Sequence, residues 1–237
     1  MEKKEKAEMG LGYGSEFQLL RFLGHHRQEL DENIIKNTNI NESLLYHMEW
    51  LDYPKNEKRK SLDGEHEGID FLPAIMKNKI SNNWKKYWPK RGQSWDAILY
   101  CSPIVPNSKL EEKWIIVEAK AHLKELESSC KADNKDSIKK IETALEVTKK
   151  RFNINNETNW MKQYYQLANR LSFINFMLDN GIQCSLLNIY FINGWNKYPQ
   201  KNVLKIEDWK KAIQVEYSYL GINNEAKKFI SEIFVKC

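Results

Sequence analysis

Two apolar segments separated by a turn place the strongest constraint on what this chain can fold into. WDAILYC begins at Trp95, KWIIVEAK begins at Lys113, and Pro106-Asn107-Ser108 lies between them. Both segments are rich in the β-branched and aromatic residues typical of strands, and proline, asparagine and serine favour turns. The pattern therefore predicts an antiparallel hairpin that turns near Asn107.

The second strand of this hairpin is apolar on both faces. Ile115, Val117 and Ala119 share one face because side chains alternate along a strand, and the other face carries Trp114 and Ile116. A strand of this kind is typical of the middle of a sheet that is covered on both sides. A chain of 237 residues is long enough to bury such a core without disulfides. The segment therefore predicts a central strand covered on both sides, and together with the helices predicted on either side of it in the sequence, an α/β protein.

Helical periodicity predicts helices on both sides of the hairpin in the sequence. Ser15 and Gln18 fit a capping box that opens a helix running to about residue 33. Apolar residues at spacings of three and four predict helices over 137–152 and 159–180. The segment SLLNIYFIN, at 185–193, predicts a third strand.

The rest of the chain gives weaker patterns. Residues 34–90 predict irregular structure with short helices. Two amphipathic segments, EDWKKAIQVEYSYLG and NEAKKFISEIFVK, predict a helical extension over about 205–237. No linker rich in proline, glycine or serine interrupts the chain, which favours one domain over 1–237 with a core at about 10–195.

Charged residues meet at one end of the predicted hairpin. If the strands fold back about Asn107, Asp96 faces Glu118 with Cβ atoms roughly 5 Å apart, and Lys120 follows on the same face. Two carboxylates at that distance repel unless a cation lies between them. With a backbone carbonyl and water they make a typical oxygen shell for Mg²⁺, with Mn²⁺ as a substitute. The alternative is that Asp96 caps a turn and that Glu118 and Lys120 form an incidental ion pair.

Asp96 followed by Glu118-Ala119-Lys120 resembles the motif of the PD-(D/E)xK nuclease superfamily, although Trp95 stands where the name of the motif has proline. The resemblance implies a restriction-endonuclease-like core, with a central mixed β-sheet flanked by helices and with extra C-terminal helices. It also implies metal-dependent hydrolysis of phosphodiester bonds in nucleic acid, with DNA favoured. Asp96 and Glu118 would bind Mg²⁺, and Lys120 would assist the hydrolytic water.

Glu16 is a further metal ligand that the resemblance implies, because many members carry an acidic residue on the first core helix. Glu16 lies in the first turn of the first predicted helix. The alternative is that this carboxylate only stabilises the helix dipole.

Basic and aromatic residues precede Asp96 and suggest contacts to nucleic acid. The basic residues are Lys85, Lys86, Lys90 and Arg91. Cations neutralise phosphates and aromatic faces stack on unpaired bases. The alternative is that the intervening tryptophans pack in the core and the lysines coat the surface.

Three residues after the motif are weaker candidates for nucleic-acid contacts. His122 has the strand parity of Glu118 and Lys120. Gln163 and Arg170, with Gln166 between them, form a polar stripe on the long predicted helix, for which a solvated face is the favoured alternative.

Several protein classes are disfavoured by the sequence. No segment approaches the roughly 18 apolar residues of a membrane span, and MEKKEKAEMG lacks the apolar region of a signal peptide. The four cysteines form no C-x-x-C pair, which disfavours structural zinc and favours reduced thiols in the cytoplasm. A net charge of +5 permits a nucleic-acid partner without requiring one.

Two questions stay open at this level. A catalytically weak or inactive module that binds nucleic acid or a protein partner on the same fold is the alternative to a nuclease. The oligomeric state is also undetermined, and a homodimer is one option.

Overall fold

The computed structural model describes residues 13–40, 45–51, 65–105, 109–194 and 204–237. Its strands are β1 (Tyr46–Trp50), β2 (His66–Glu67), β3 (Ser94–Trp95), β4 (Ala97–Pro103), β5 (Lys113–Lys120), β6 (Gln183–Ile192) and β7 (Ile230–Lys236). Its helices are α1 (Ser15–His25), α2 (Arg27–Asn37), α3 (Ala74–Tyr87), α4 (Lys135–Arg151), α5 (Tyr165–Asp179), α6 (Ile206–Leu220) and α7 (Asn224–Lys227). A short 3₁₀ turn spans Leu123–Glu125.

A mixed sheet of five strands is the centre of the fold, with the order β1-β4-β5-β6-β7, and β2 pairs with β3 in a separate small sheet. The strands β4 and β5 are antiparallel, with Tyr100 opposite Trp114 and Ile98 opposite Ile116. This is the predicted register, whereas the predicted turn at 106–108 lies outside the described residues. β6 is parallel to β5, and β7 is parallel to β6.

Both faces of β5 are covered. Ile116 belongs to a core that includes Leu145 of α4 and Leu171 of α5. On the opposite face, Val117 packs in a second core with Leu19 of α1. The structure therefore confirms the α/β class and the central position predicted for this strand.

The predicted first helix is wrong in its length and its cap. It is two helices, α1 and α2, separated at His26, whose backbone leaves the helical region. The Ser15 hydroxyl donates to Glu125 Oε1 at 2.8 Å instead of capping its own helix. The Gln18 amide donates to the carbonyl of Gly194 at 3.4 Å. Tertiary partners have thus replaced the predicted capping box.

Two other segments differ from the sequence prediction. The helix predicted from residue 159 begins at Tyr165, because Tyr164 takes a left-handed backbone with φ of 54°. The sequence predicts irregular structure with short helices over 34–90, and the structure has the strands β1 and β2 and a helix of 14 residues, α3. Only two residues of α3, Ile80 and Trp84, are buried. The helical period is therefore weak in the sequence, because polar residues occupy most of the other positions.

The predicted helical extension over 205–237 is also wrong at its end. α6 and the short α7 are present, but Ile230–Lys236 forms the strand β7 at the edge of the main sheet. Ile230, Ile233 and Phe234 fit helical spacing, while burial of Ile233 and Val235 fits the alternation of a strand. Pairing with β6 decides between the two patterns. In the described part of the chain, no helix has the length and apolar character needed to cross a membrane.

Candidate functional site

The β4–β5 hairpin brings the predicted motif residues to one cavity. Ala97 and Val117 are the last paired residues at this end, and Asp96 and Glu118 come directly beyond them. Asp96 Oδ2 accepts a hydrogen bond from the backbone N–H of Ala119 at 2.8 Å. Asp96, Glu118 and Lys120 together line a cavity of about 230 Å³.

The first turn of α1 contributes to the same cavity. Glu16 lines it, as does Glu65, which the sequence did not single out because it lies in the poorly readable segment before α3. The lining therefore contains four carboxylates and the ammonium group of Lys120. Oxygen donors of this kind suit a hard cation such as Mg²⁺. No three His, Cys, Asp or Glu side chains among the described residues are arranged as a ready metal-binding group.

Glu118 is held by a buried network of donors. Its carboxylate is only 4% exposed. Arg170 donates to Glu118 Oε2 through Nε at 3.0 Å and through Nη2 at 2.6 Å. Gln166 Nε2 donates to Glu118 Oε1 at 2.6 Å, and Lys120 Nζ donates to the same oxygen. Both carboxylate oxygens are therefore engaged by side chains of the chain itself.

The surroundings shift the pKa values of the Asp96 and Glu118 carboxyl groups in opposite directions. Burial, with the charge of Glu118, raises the pKa of Asp96 to about 7. Burial acts on Glu118 in the same direction, but the charges of Arg170 and Lys120 outweigh it and hold the pKa of Glu118 below its usual value. Near neutral pH, Asp96 is therefore partly protonated, which relieves the repulsion within the pair, while the cations keep Glu118 ionised.

Lys120 is charged in this site. Burial favours its neutral amine, but the carboxylates of Glu118 and Asp96 outweigh burial and raise the pKa of Lys120 above its usual value. An ammonium group that stays protonated near neutral pH cannot accept a proton from water. It can hold a water molecule or offset negative charge on a phosphate.

Arg170 is a buried partner of Glu118, so the favoured interpretation of a solvated face is wrong for this residue. It is 5% exposed. Its Nη1 donates to Asn169 Oδ1 at 2.7 Å and its Nη2 donates to the Ser94 carbonyl at 2.8 Å. The guanidinium carbon also lies 4.8 Å from the centre of the Trp95 ring. The bonds of this side chain are directed into the protein.

The polar stripe predicted on the long helix is correct only in part. Gln166 contacts Glu118 and so belongs to the site. Gln163 is exposed and precedes α5, so its predicted position on the helix is wrong.

His122 lies just beyond β5 and caps the 3₁₀ turn that follows. Its Nδ1 accepts a hydrogen bond from the backbone N–H of Lys124 at 3.1 Å. The carboxylate of Glu125 in turn accepts from the backbone N–H of His122 at 2.9 Å and of Ala121 at 2.6 Å. The structure therefore gives His122 a local structural role, and His122 does not line the 230 Å³ cavity.

The basic segment before Asp96 divides into a buried and an exposed set. Trp84, Trp88 and Trp95 are buried in the core, so they are not available to stack on bases. The exposed residues are Lys85, Lys86, Lys90 and Arg91. For the tryptophans, the alternative interpretation as core residues is therefore confirmed.

Glu216 of α6 is a site residue that sequence reasoning missed. It is 3% exposed and lines a small space with Glu118 and Lys120. Burial raises its pKa to about 8, against the effect of Lys120 and with that of Glu232. The helical spacing of Ile213, Glu216 and Leu220 could have identified a carboxylate within an apolar stripe.

Comparisons with protein-family models, with curated proteins and with solved structures give no match. The functional argument therefore depends on the arrangement of these residues.

Proposed function

We propose that this chain is a metal-dependent phosphodiesterase that hydrolyses nucleic acid, with DNA favoured, on a restriction-endonuclease-like core of the PD-(D/E)xK type. The observation that carries the proposal is the common cavity of Asp96, Glu118 and Lys120. Asp96 lies immediately before β4, the other two lie on β5, and Glu16 comes from the first turn of α1. A carboxylate-rich cavity with one fixed ammonium group matches the charge requirements of phosphoryl transfer. The cytoplasm, where thiols remain reduced, is the proposed compartment.

Each residue has a defined task in this proposal. Asp96, Glu118 and Glu16 would hold Mg²⁺, for which Mn²⁺ can substitute, since their oxygens are the donors that such ions prefer. The ion, when bound, would polarise the phosphate and lower the pKa of a water molecule. Lys120 stays protonated and offsets negative charge that develops on the phosphate. Arg170 and Gln166 orient Glu118 from behind the site.

A nucleic-acid- or partner-binding module with weak or absent catalysis is the second candidate. The observation that favours it is the complete engagement of the Glu118 carboxylate by Lys120, Gln166 and Arg170. A carboxylate satisfied in this way needs no metal, because protein donors already balance its charge and fill its hydrogen-bonding capacity. Metal binding would require Glu118 to exchange at least one of these donors for the ion.

Two substitutions separate the candidates through Mn²⁺ calorimetry and plasmid nicking. Asp96→Asn keeps the shape of the side chain and removes a ligand charge, so both Mn²⁺ binding and nicking should be lost. Lys120→Ala leaves the carboxylates in place, so Mn²⁺ binding should persist or tighten, because a nearby positive charge is removed. Its nicking rate should nevertheless fall by about 100-fold or more.

Glu142→Gln and Lys139→Ala on the exposed side of α4 are the matched charge controls and should retain parental nicking. Equal loss of Mn²⁺ binding in Asp96→Asn and Lys120→Ala would assign Lys120 a structural role. Unchanged nicking in both variants would reject the nuclease, and absence of Mn²⁺ binding by the parent would favour the binding module.

A further inference from the structure

A groove of about 670 Å³, with a mixed polar and apolar lining, lies beside the candidate site. Its lining comes from residues 88–94, from the loop around 128–133 and from the beginning of α4 and α5. Gln166 lines both this groove and the 230 Å³ cavity. Arg170 also lines the groove while it donates to Glu118. The groove and the cavity are therefore neighbours that meet at the side chain of Gln166.

Two exposed cations line the groove and outnumber its one acidic residue. Arg91 and Lys131 line it, and neither forms an ion pair with any residue that the structure describes. Asp133 is the acidic residue of the lining. Arg170 adds a third cation, but Glu118 neutralises it. The exposed charges thus favour a phosphate-bearing ligand.

Gln93 supplies a buried acceptor in the same groove. It is 5% exposed, and its Nε2 donates to the carbonyl of Asn169 at 3.4 Å. Its Oε1 has no hydrogen-bond partner in the described part of the chain. Buried polar atoms are rarely left without a partner. This oxygen has almost no accessible surface, so the Gln93 side chain must turn toward the groove before a ligand can donate to it. The exposed N–H groups of an unpaired base are donors of this type.

The groove is too small to enclose a double helix. A volume of about 670 Å³ lies within the roughly 300–1,000 Å³ of pockets that enclose small ligands. A duplex, whose major groove alone is about 12 Å wide, would lie across the rim. A single strand can enter with its phosphates at the rim and its bases inside.

We infer that this groove binds an unpaired strand of nucleic acid, with phosphates on Arg91 and Lys131 and a base donor on Gln93. The inference rests on the proposed function for the position of the bond that is cut. It adds the strandedness of the substrate and the path of the strand, which runs past Gln166 into the 230 Å³ cavity.

Fluorescence anisotropy in EDTA tests the groove without any cleavage. The probes are a short labelled DNA strand of mixed sequence, the same strand annealed to its complement, and an RNA strand of the same sequence. The single DNA strand should bind at least tenfold more tightly than the duplex. If the RNA strand binds as tightly as the DNA strand or more tightly, the groove accepts unpaired strands of both kinds. If the RNA strand binds more weakly, the inference holds for single-stranded DNA alone.

The double variant Arg91→Gln/Lys131→Gln removes only exposed charges, so folding is not at risk. Its affinity for the single strand should fall, and the slope of log affinity against log salt should become shallower by about 1.4, at about 0.7 per phosphate contact. The matched control Lys36→Gln/Lys139→Gln removes the same charge from other exposed helical positions and should leave the slope unchanged.

Three results would overturn the inference about the groove. They are equal affinity of the parent for duplex and single strand, an unchanged salt slope in Arg91→Gln/Lys131→Gln, and an equal loss of single-strand affinity in Lys36→Gln/Lys139→Gln. These outcomes are independent of catalysis. If the parent cleaves the labelled single strand in Mn²⁺ but the groove variant binds that strand like the parent, the groove inference fails alone. If the groove variant loses binding but the parent neither binds Mn²⁺ nor cleaves the single strand or the plasmid, hydrolysis fails alone.

Discussion

Replacing Glu216 by glutamine should stabilise the protein at alkaline pH. Glu216 is buried on α6, and its pKa is raised from 4.5 to about 8. The native state therefore holds this proton over a pH range in which the unfolded chain has lost it. Because stability falls with pH wherever the native state binds more protons, the Glu216 contribution is complete below about pH 4.5 and is lost as pH rises through 8.

The size of the effect follows from the two pKa values. The pKa rises from 4.5 to about 8, and each unit corresponds to about 1.4 kcal/mol. The free energy of unfolding that ionisation of Glu216 removes is therefore at most about 5 kcal/mol. Glutamine keeps the shape of the side chain and cannot ionise, so Glu216→Gln removes this loss. The free energy of unfolding of the variant should exceed that of the parent by a few kcal/mol at pH 9 and match it near pH 4.

Urea unfolding followed by tryptophan fluorescence at several pH values measures this difference directly. The pKa of Asp96 is raised to about 7, so Asp96 also lowers the free energy of unfolding as pH rises. This change is the same in the parent and in the variant, so it cancels in the comparison. Glu142→Gln, at an exposed position of α4, controls for the charge change and should show no such divergence. Parallel stability curves for parent and Glu216→Gln between pH 5 and 9 would refute the reasoning.

Other substitutions probe the network and the backbone through urea unfolding. Arg170→Gln leaves the buried Glu118 carboxylate without its main partner and should cost about 3–5 kcal/mol, whereas Arg151→Gln breaks an exposed ion pair and should cost less than about 1 kcal/mol. A small effect of Arg170→Gln would mean that Glu118 is well satisfied without it. Gly181→Ala, at φ of 72° with open space around it, should cost about 1–2 kcal/mol. Gly221→Ala should cost more, because an added Cβ would lie 2.6 Å from Asn156 Nδ2, and equal costs would contradict that clash.

The sequence alone determined the hairpin and the convergence of the motif at its end. Alternation along a strand and a turn between two apolar segments are local properties, so the pairing of Tyr100 with Trp114 was predictable. The two apolar faces of β5 also required a cover on both sides. These features depend on residues within one short stretch of chain.

Only the tertiary structure decided what surrounds the motif. Arg170, Gln166 and Glu216 come from helices distant in sequence, and their polar character was equally compatible with a solvated surface. The periodicity of the last segment fitted a helix, but hydrogen bonding to β6 makes it the strand β7. The charge states of Asp96 and Lys120 likewise follow from burial and from neighbours across the fold. Periodicity records which side of an element is apolar, whereas contacts between elements determine which polar groups lose water and which partners compensate them.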